Sequence, residues 1–168
     1  SHFRYPERQR EETYFEQWFR GHGYEVMSIE AGLHFEGAGD LLGFPDYWFG
    51  GYRQRSDIRV FPILSERFQR EIIPLELVDS RFYHLDTCLC SLSGGELIYF
   101  PAAFDHYGQA AIAERIPDKL RLAVPEDEAL QFACNAVCVG KHVVLPMGCP
   151  TTQAWLRMRG YETHQVQL

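Results

Sequence analysis

Three groupings of side chains in this 168-residue chain have the types and spacing that proton transfer and charge recognition need. The first is Glu36-Gly37-Ala38-Gly39-Asp40. Its small central residues let the backbone come close to a ligand and aim the flanking carboxylates. The same residues also make an ordinary tight turn with solvated acids. No G-K-[ST] follows, so the segment is not a phosphate loop. The second grouping is His84-Leu85-Asp86-Thr87. Imidazole is the side chain best suited to proton transfer near neutral pH. A strand from Tyr83 to Leu92 puts His84 and Asp86 on one face, where the acid can support the imidazole or hold a cationic substrate. The alternative is a buried His-Asp hydrogen bond that serves structure alone. The third grouping is Tyr52-Arg53-Gln54-Arg55-Ser56-Asp57, whose arginine can grip a carboxylate bidentately or form a surface ion pair. Asn135 fits a backbone hydrogen bond at a strand start. Cys149 precedes Pro150 at an expected helix N-terminus, which can lower a thiol pKa, but no base is paired with it.

The elements that must position these residues repeat. Trp18-Phe19-Arg20-Gly21-His22-Gly23-Tyr24-Glu25 returns as Trp155-Leu156-Arg157-Met158-Arg159-Gly160-Tyr161-Glu162, the shared pattern being W-x-R-x-x-G-Y-E. Each copy predicts a helix stopped at a glycine and followed by a strand. Tyr14, Phe15, Trp18 and Phe19 share one helix face. Short apolar strands over 1–4, 47–49, 97–100 and 142–145 each lead through a loop into a helix. Ser56 and Asp105 are expected N-caps, and Pro62 is expected to bend or divide its helix. Residues 83–92 and 97–100 predict a hairpin across Ser93-Gly94-Gly95-Glu96, and 137–139 and 142–145 another across Gly140-Lys141. Each unit reads helix, strand, long loop, hairpin. No linker divides the chain, so residues 1–168 are expected to form a single catalytic-core domain. Both termini fall within a unit, Ser1 in the second strand of a hairpin and Leu168 where the second copy's loop is due.

Composition sets outer limits. With 46% hydrophobic and 14% aromatic residues the chain is of the globular class. A net charge of −7 argues against a nucleic-acid partner. No apolar run reaches the roughly 18 residues of a membrane helix, and the N-terminus is no signal peptide. Five cysteines, an odd count without the dense spacing of secreted mini-proteins, suggest a reducing compartment, the cytoplasm. C-x-C and C-x-x-x-C are poor zinc spacings, so neither metal nor cofactor is expected.

Phe35-Glu36-Gly37-Ala38-Gly39-Asp40, Arg55-Ser56-Asp57, Tyr83-His84-Leu85-Asp86-Thr87 and Cys134-Asn135-Ala136-Val137 together resemble, in order and spacing, the guanidine-modifying superfamily of arginine deiminases, dimethylargininases and arginine:glycine amidinotransferases. The resemblance covers nearly the whole chain. It implies an α/β fold: a pseudosymmetric propeller of ββαβ units (pentein-like), incomplete in this chain. It implies that Glu36 holds a guanidinium and supports the histidine, that His84 is the general acid/base, and that Asp86 is a second guanidinium-binding carboxylate. Arg55 resembles the arginine that binds the substrate carboxylate. Asp40 takes the place of the last acid of the family's E-G-G-D, displaced by the extra Ala38, and with Arg55 is expected to bind substrate. The implied activity is a hydrolase of arginine or methylated arginine acting through a cysteine-bound amidino intermediate, with the nucleophile beyond Leu168. Amidino transfer, or a non-catalytic or split chain, are the alternatives. Dimethylargininases often carry lysine where Asp86 stands. The implied partner is a small guanidino substrate; a second polypeptide completing the fold and a homo-oligomer stay open.

Overall fold

The computed structural model describes residues 2–30 and 32–167. The expected strand over 1–4 begins at Ser1, and the last expected loop follows Leu168; both residues lie outside the described set. His2 forms an isolated antiparallel bridge with Phe35, which ties the start of the chain to the acidic loop. Helix α1 (Pro6–Gly21) begins with proline at its first position, where a missing N–H costs nothing. Its four aromatic residues share one face, as the spacing indicated. Tyr14, Phe15, Trp18 and Phe19 are all exposed, and no residue of the helix is buried. Polar contacts hold it: Glu12 accepts from the Phe3 amide at 2.7 Å, and the Gln9 amide donates to the Phe3 carbonyl at 3.0 Å.

Three ββαβ units follow, each with its own three-stranded sheet. In the first, β1 (Leu41–Gly43) pairs antiparallel with β2 (Tyr47–Tyr52), and helix α2 (Val60–Phe68) leads to β3 (Glu71–Glu76), parallel to β2. The second contains β4 (Leu89–Ser91), β5 (Leu97–Tyr99), α3 (His106–Arg115) and β6 (Arg121–Ala123), paired in the same senses. A short helix α4 (Glu126–Ala129) leads to the third: β7 (Val137–Val139), β8 (His142–Pro146), α5 (Pro150–Met158) and β9 (Glu162–Val166). The expected helix-strand-loop-hairpin order is therefore present. One apolar cluster joins all three sheets through Phe49, Leu75, Leu89, Ile98, Val143, Leu145 and Leu156. Burial of side chains of this size, at about 1.5–3 kcal/mol each, holds the units together.

Local details depart from the sequence reading where tertiary bonds intervene. Only Leu89–Ser91 of the expected 83–92 strand pairs with a neighbour; Leu85–Thr87 form a 3-10 turn. The Leu85 amide is taken by Asp40 Oδ1 at 3.0 Å, so it cannot join a ladder. Ser56 does not cap α2, which starts four residues later. Asp105 does cap α3, accepting from the Gly108 amide at 2.8 Å. Pro62 sits in the first turn of α2, where its ring is tolerated, and the helix runs on unbroken. The two W-x-R-x-x-G-Y-E copies end their helices alike. Tyr24 N donates to Phe19 O at 3.0 Å and Tyr161 N to Leu156 O at 3.1 Å, with Gly23 and Gly160 at positive φ. The second copy continues into β9, while residues 24–30 join no ladder.

Candidate active site

The turn Gly37–Gly39 lies against the turn Leu85–Thr87, and this junction brings the predicted residues together. Glycine is needed there: a Cβ on Gly39 would stand 3.1 Å from His84 Nδ1. A Cβ on Gly51 of β2 would fall 2.7 Å from Leu85 Cβ and 3.1 Å from Asp40 Oδ1. The Gly51 approach is closer than packed atoms tolerate, and at Gly39 a side chain would press the His84 ring out of place by a few tenths of an ångström.

Glu36 is the hub. Its Oε2 lies 2.9 Å from His84 Nε2 and accepts from Arg55 Nη1, also at 2.9 Å. Its Oε1 accepts from the Arg4 amide at 3.1 Å. The side chain is fully enclosed. Burial alone would raise the Glu36 carboxyl, but the Arg4 amide, His84 and Arg55 outweigh it and hold the group below the ordinary range. Glu36 is thus an anion whose oxygens are already occupied by protein donors. With an anion facing Nε2, that nitrogen carries the ring hydrogen and Nδ1 is left to exchange a proton.

Arg55 is clamped between two aromatic rings. Its guanidinium carbon stands 4.7 Å from the Tyr5 ring centre and 4.8 Å from that of Tyr83. Neither tyrosine was singled out by sequence reasoning. Tyr83 adjoins the histidine in sequence, which was the one available signal.

Asp86 stands apart from this network. It shares with Tyr83, His84, Thr87, Phe132 and Asn135 an open cleft of about 360 Å³. Among the described residues no donor reaches its carboxylate. Burial pushes the carboxyl above the ordinary aspartate range, and His84 pulls it back in part. Asn135 Nδ2 donates to the Asp86 carbonyl at 3.2 Å, the backbone role the sequence suggested.

Asp40 was expected to touch substrate. The structure places it behind the cleft instead, with no exposed surface. Its Oδ2 accepts from Ser56 Oγ at 2.6 Å and its Oδ1 from the Leu85 amide, while Ser56 Oγ also accepts from the Glu36 amide at 3.1 Å. Asp40 fastens the Glu36 loop to the Arg55 and His84 segments. Burial lifts its carboxyl to about 6.

Four of the five thiols sit where their surroundings disfavour the thiolate. Burial raises the pKa values of Cys88, Cys90 and Cys134. Cys149 does stand at the N-terminus of α5, but burial, with Glu128 and Asp127 nearby, pushes its thiol up to about 11. Among the described residues no trio of metal ligands lies in the cleft.

No protein-family model matches the chain. Individual proteins do. Over 170 residues it is 41% identical to the bifunctional arginine dihydrolase/ornithine cyclodeaminase ArgZ of Synechocystis sp., an alignment covering 100% of this chain and 24% of that protein. It is 36% identical over 167 residues to the N(G),N(G)-dimethylarginine dimethylaminohydrolase of Mycobacterium tuberculosis, covering 99% of this chain and 54% of that enzyme. The N-terminal domain of ArgZ, solved with bound substrate, superposes with a TM-score of 0.97 at 40% identity, covering 100% of this chain and 63% of that one. The dimethylargininase of Pseudomonas aeruginosa shares the fold, with a TM-score of 0.79 at 23% identity, over 99% of this chain and 62% of its own. The chain spans less than two thirds of each of these relatives. Identity sustained from end to end and a nearly superimposable backbone make this chain a member of the guanidine-modifying superfamily.

Proposed function

We propose that this chain supplies the acid/base and the cation-holding half of a hydrolase that acts on the guanidino group of arginine. The observation that carries the reading is the Glu36–His84–Arg55 network beside the unpaired Asp86. A guanidinium is planar, strongly basic and unreactive, so a site must grip it with a carboxylate while a nucleophile attacks its central carbon. Asp86 is the free carboxylate for that grip. Glu36 fixes the His84 ring, and Arg55, held between Tyr5 and Tyr83, faces the substrate carboxylate. The nucleophile is a cysteine thiolate supplied from outside residues 1–168. The three units are three blades of a five-unit α/β propeller whose remaining part carries such a cysteine.

In the first half-reaction the thiolate forms a C–S bond, and an amine leaves with a proton from His84. In the second, water attacks the amidino carbon, gives its proton to His84 and expels the thiolate. Arginine is favoured over its methylated forms by Asp86, and by the 41% identity to a protein named as an arginine dihydrolase.

The test uses the parent protein that contains this chain, offered arginine and asymmetric dimethylarginine, with products followed by mass spectrometry. Arginine is expected to be consumed with release of ammonia. His84→Ala abolishes turnover, and Asp86→Asn raises KM by about ten- to a hundredfold, as the loss of a charged hydrogen bond of about 1.5–3 kcal/mol requires. Residues 1–168 alone turn over nothing. Near-normal activity of the His84 variant, or no consumption of either guanidino compound, refutes the reading.

A further inference from the structure

We propose that His142, Glu162 and His164 form a surface site for a divalent transition-metal ion of the zinc type. The trio lies on the third sheet and shares no residue with the cleft. Strands β8 and β9 are parallel, and His142 stands directly opposite Glu162 in their register. His164 is two residues further along β9, so its side chain leaves the same face as that of Glu162. Among the described residues this is the only trio of metal-binding side chains whose ligand atoms lie within 4.8 Å of one another.

The spacing of the donor atoms is what suggests a metal rather than a chance surface grouping. His142 Nδ1 and His164 Nε2 are 3.1 Å apart. One oxygen of Glu162 lies 3.6 Å from the first nitrogen, and its other oxygen lies 3.7 Å from the second. Donors at about 2.0–2.1 Å from a tetrahedral zinc stand about 3.3–3.5 Å from each other. The two nitrogens stand near that value, and one Glu162 oxygen lies within 4.8 Å of both, so rotations about side-chain bonds bring all three donors onto one ion. At most one proton can sit between the two facing imidazole nitrogens, and a dication replaces it. Two imidazoles and a carboxylate suit zinc, nickel or copper rather than magnesium or calcium. The ladder from 142 to 146 against 162 to 166 fixes both backbones before any ion arrives. Lys141, next to His142 in sequence, lies over the Tyr161 ring, 4.4 Å from its centre. Three protein donors leave a fourth position to water.

Cobalt(II) is the spectroscopic probe, titrated into the parent protein and then displaced by zinc(II). The parent is expected to give the visible ligand-field bands of a nitrogen and oxygen donor set, discharged by zinc. His164→Ala and His142→Ala each weaken this binding by about tenfold or more, the loss that even an outer-shell change brings to a metal site. Cys138→Ser leaves it unchanged. All three ligands are exposed, so the variants keep the fold, which circular dichroism checks directly. The proposal is overturned if both histidine variants bind cobalt as the parent does, or if no cobalt binds. It is equally overturned if the bound ion shows a thiolate charge-transfer band that Cys138→Ser removes. None of these outcomes depends on the activity of the cleft.

Discussion

Asp40→Asn tests whether the acid behind the cleft is held there at an electrostatic cost. The folded carboxyl titrates at about 6, against an ordinary value of 3.8. Burial is the first cause of the rise; the Ser56 hydroxyl, His84 and the Leu85 amide only moderate it. The folded protein therefore binds a proton more tightly than the unfolded chain does. By linkage, Asp40 contributes most to stability below the unfolded pKa, and that contribution is lost as pH rises through the folded pKa. The gap of about 2 pH units is worth about 3 kcal/mol at about 1.4 kcal/mol per unit. Asparagine does not titrate, yet it keeps an oxygen for the Leu85 amide and can donate to Ser56 Oγ. All other groups are common to both proteins. The difference in unfolding free energy, parent minus variant, should fall by about 2 kcal/mol between about pH 4 and pH 6.5, the remainder being lost at lower pH as the unfolded carboxyl ionises. Urea unfolding, followed by tryptophan fluorescence at closely spaced pH values, measures it. A difference that stays flat, or that grows with pH, refutes the argument that burial dominates this carboxyl.

Two other substitutions probe neighbouring arguments. Glu36→Gln keeps the shape of the hub but removes the charge that fixes the His84 ring, so kcat of the parent protein should fall by about a hundredfold or more; steady-state rates within threefold of the parent would contradict it. Glu128→Gln should destabilise the fold by about 1–2 kcal/mol at neutral pH, because Glu128 accepts from the Thr151 and Thr152 amides, at 2.6 and 2.9 Å, at the N-terminus of α5. Burial would raise that carboxyl, but the threonine donors outweigh it and hold it low, so the stabilisation is present above the unfolded pKa and lost as pH falls through the folded one. Unfolding midpoints that differ as much at acid pH as at pH 7 would contradict this assignment.

What the sequence disclosed was set by the range of the interactions involved. The helix-stopping glycines Gly23 and Gly160, the cap at Asp105 and the hairpin turns are local, and spacing alone placed them. Ser56 looked like a cap because a cap is the local use of serine; its partner Asp40 is 16 residues away. The alternation argument for His84 and Asp86 required a ladder that the Asp40–Leu85 bond prevents. Helical periodicity gave α1 an apolar face but could not say whether anything covers it. Glu36, Arg55 and His84 meet across separations of 19 and 48 residues, and only the resemblance to a known family joined them in advance. The His142–Glu162–His164 trio was missed because it exists only in the β8–β9 register; Glu162 and His164 two apart on an expected strand were the visible half of it.

The repeated units explain why loops can hold such a site with precision. Glu36 lies five residues before β1, His84 five residues before β4, and Asn135 two residues before β7. All three come from the segment that leads into the first strand of a unit. Successive leading segments are bonded to each other. The first reaches the second through Glu36 to His84 and Asp40 to the Leu85 amide. The third reaches the second through Asn135 to the Asp86 carbonyl, with Cys90 Sγ and the Ala136 carbonyl 3.3 Å apart beside it. The segment carrying His84 and Asp86 is therefore gripped from both sides. A loop free to move would lose the near-attack geometry that orientation contributes to catalysis. Here each loop, though long, is anchored by a strand at one end and bonded to the neighbouring unit through its polar groups. It follows that cutting a lateral bond such as Asp40–Leu85 should disturb His84 and Asp86 more than cutting any contact inside their own unit.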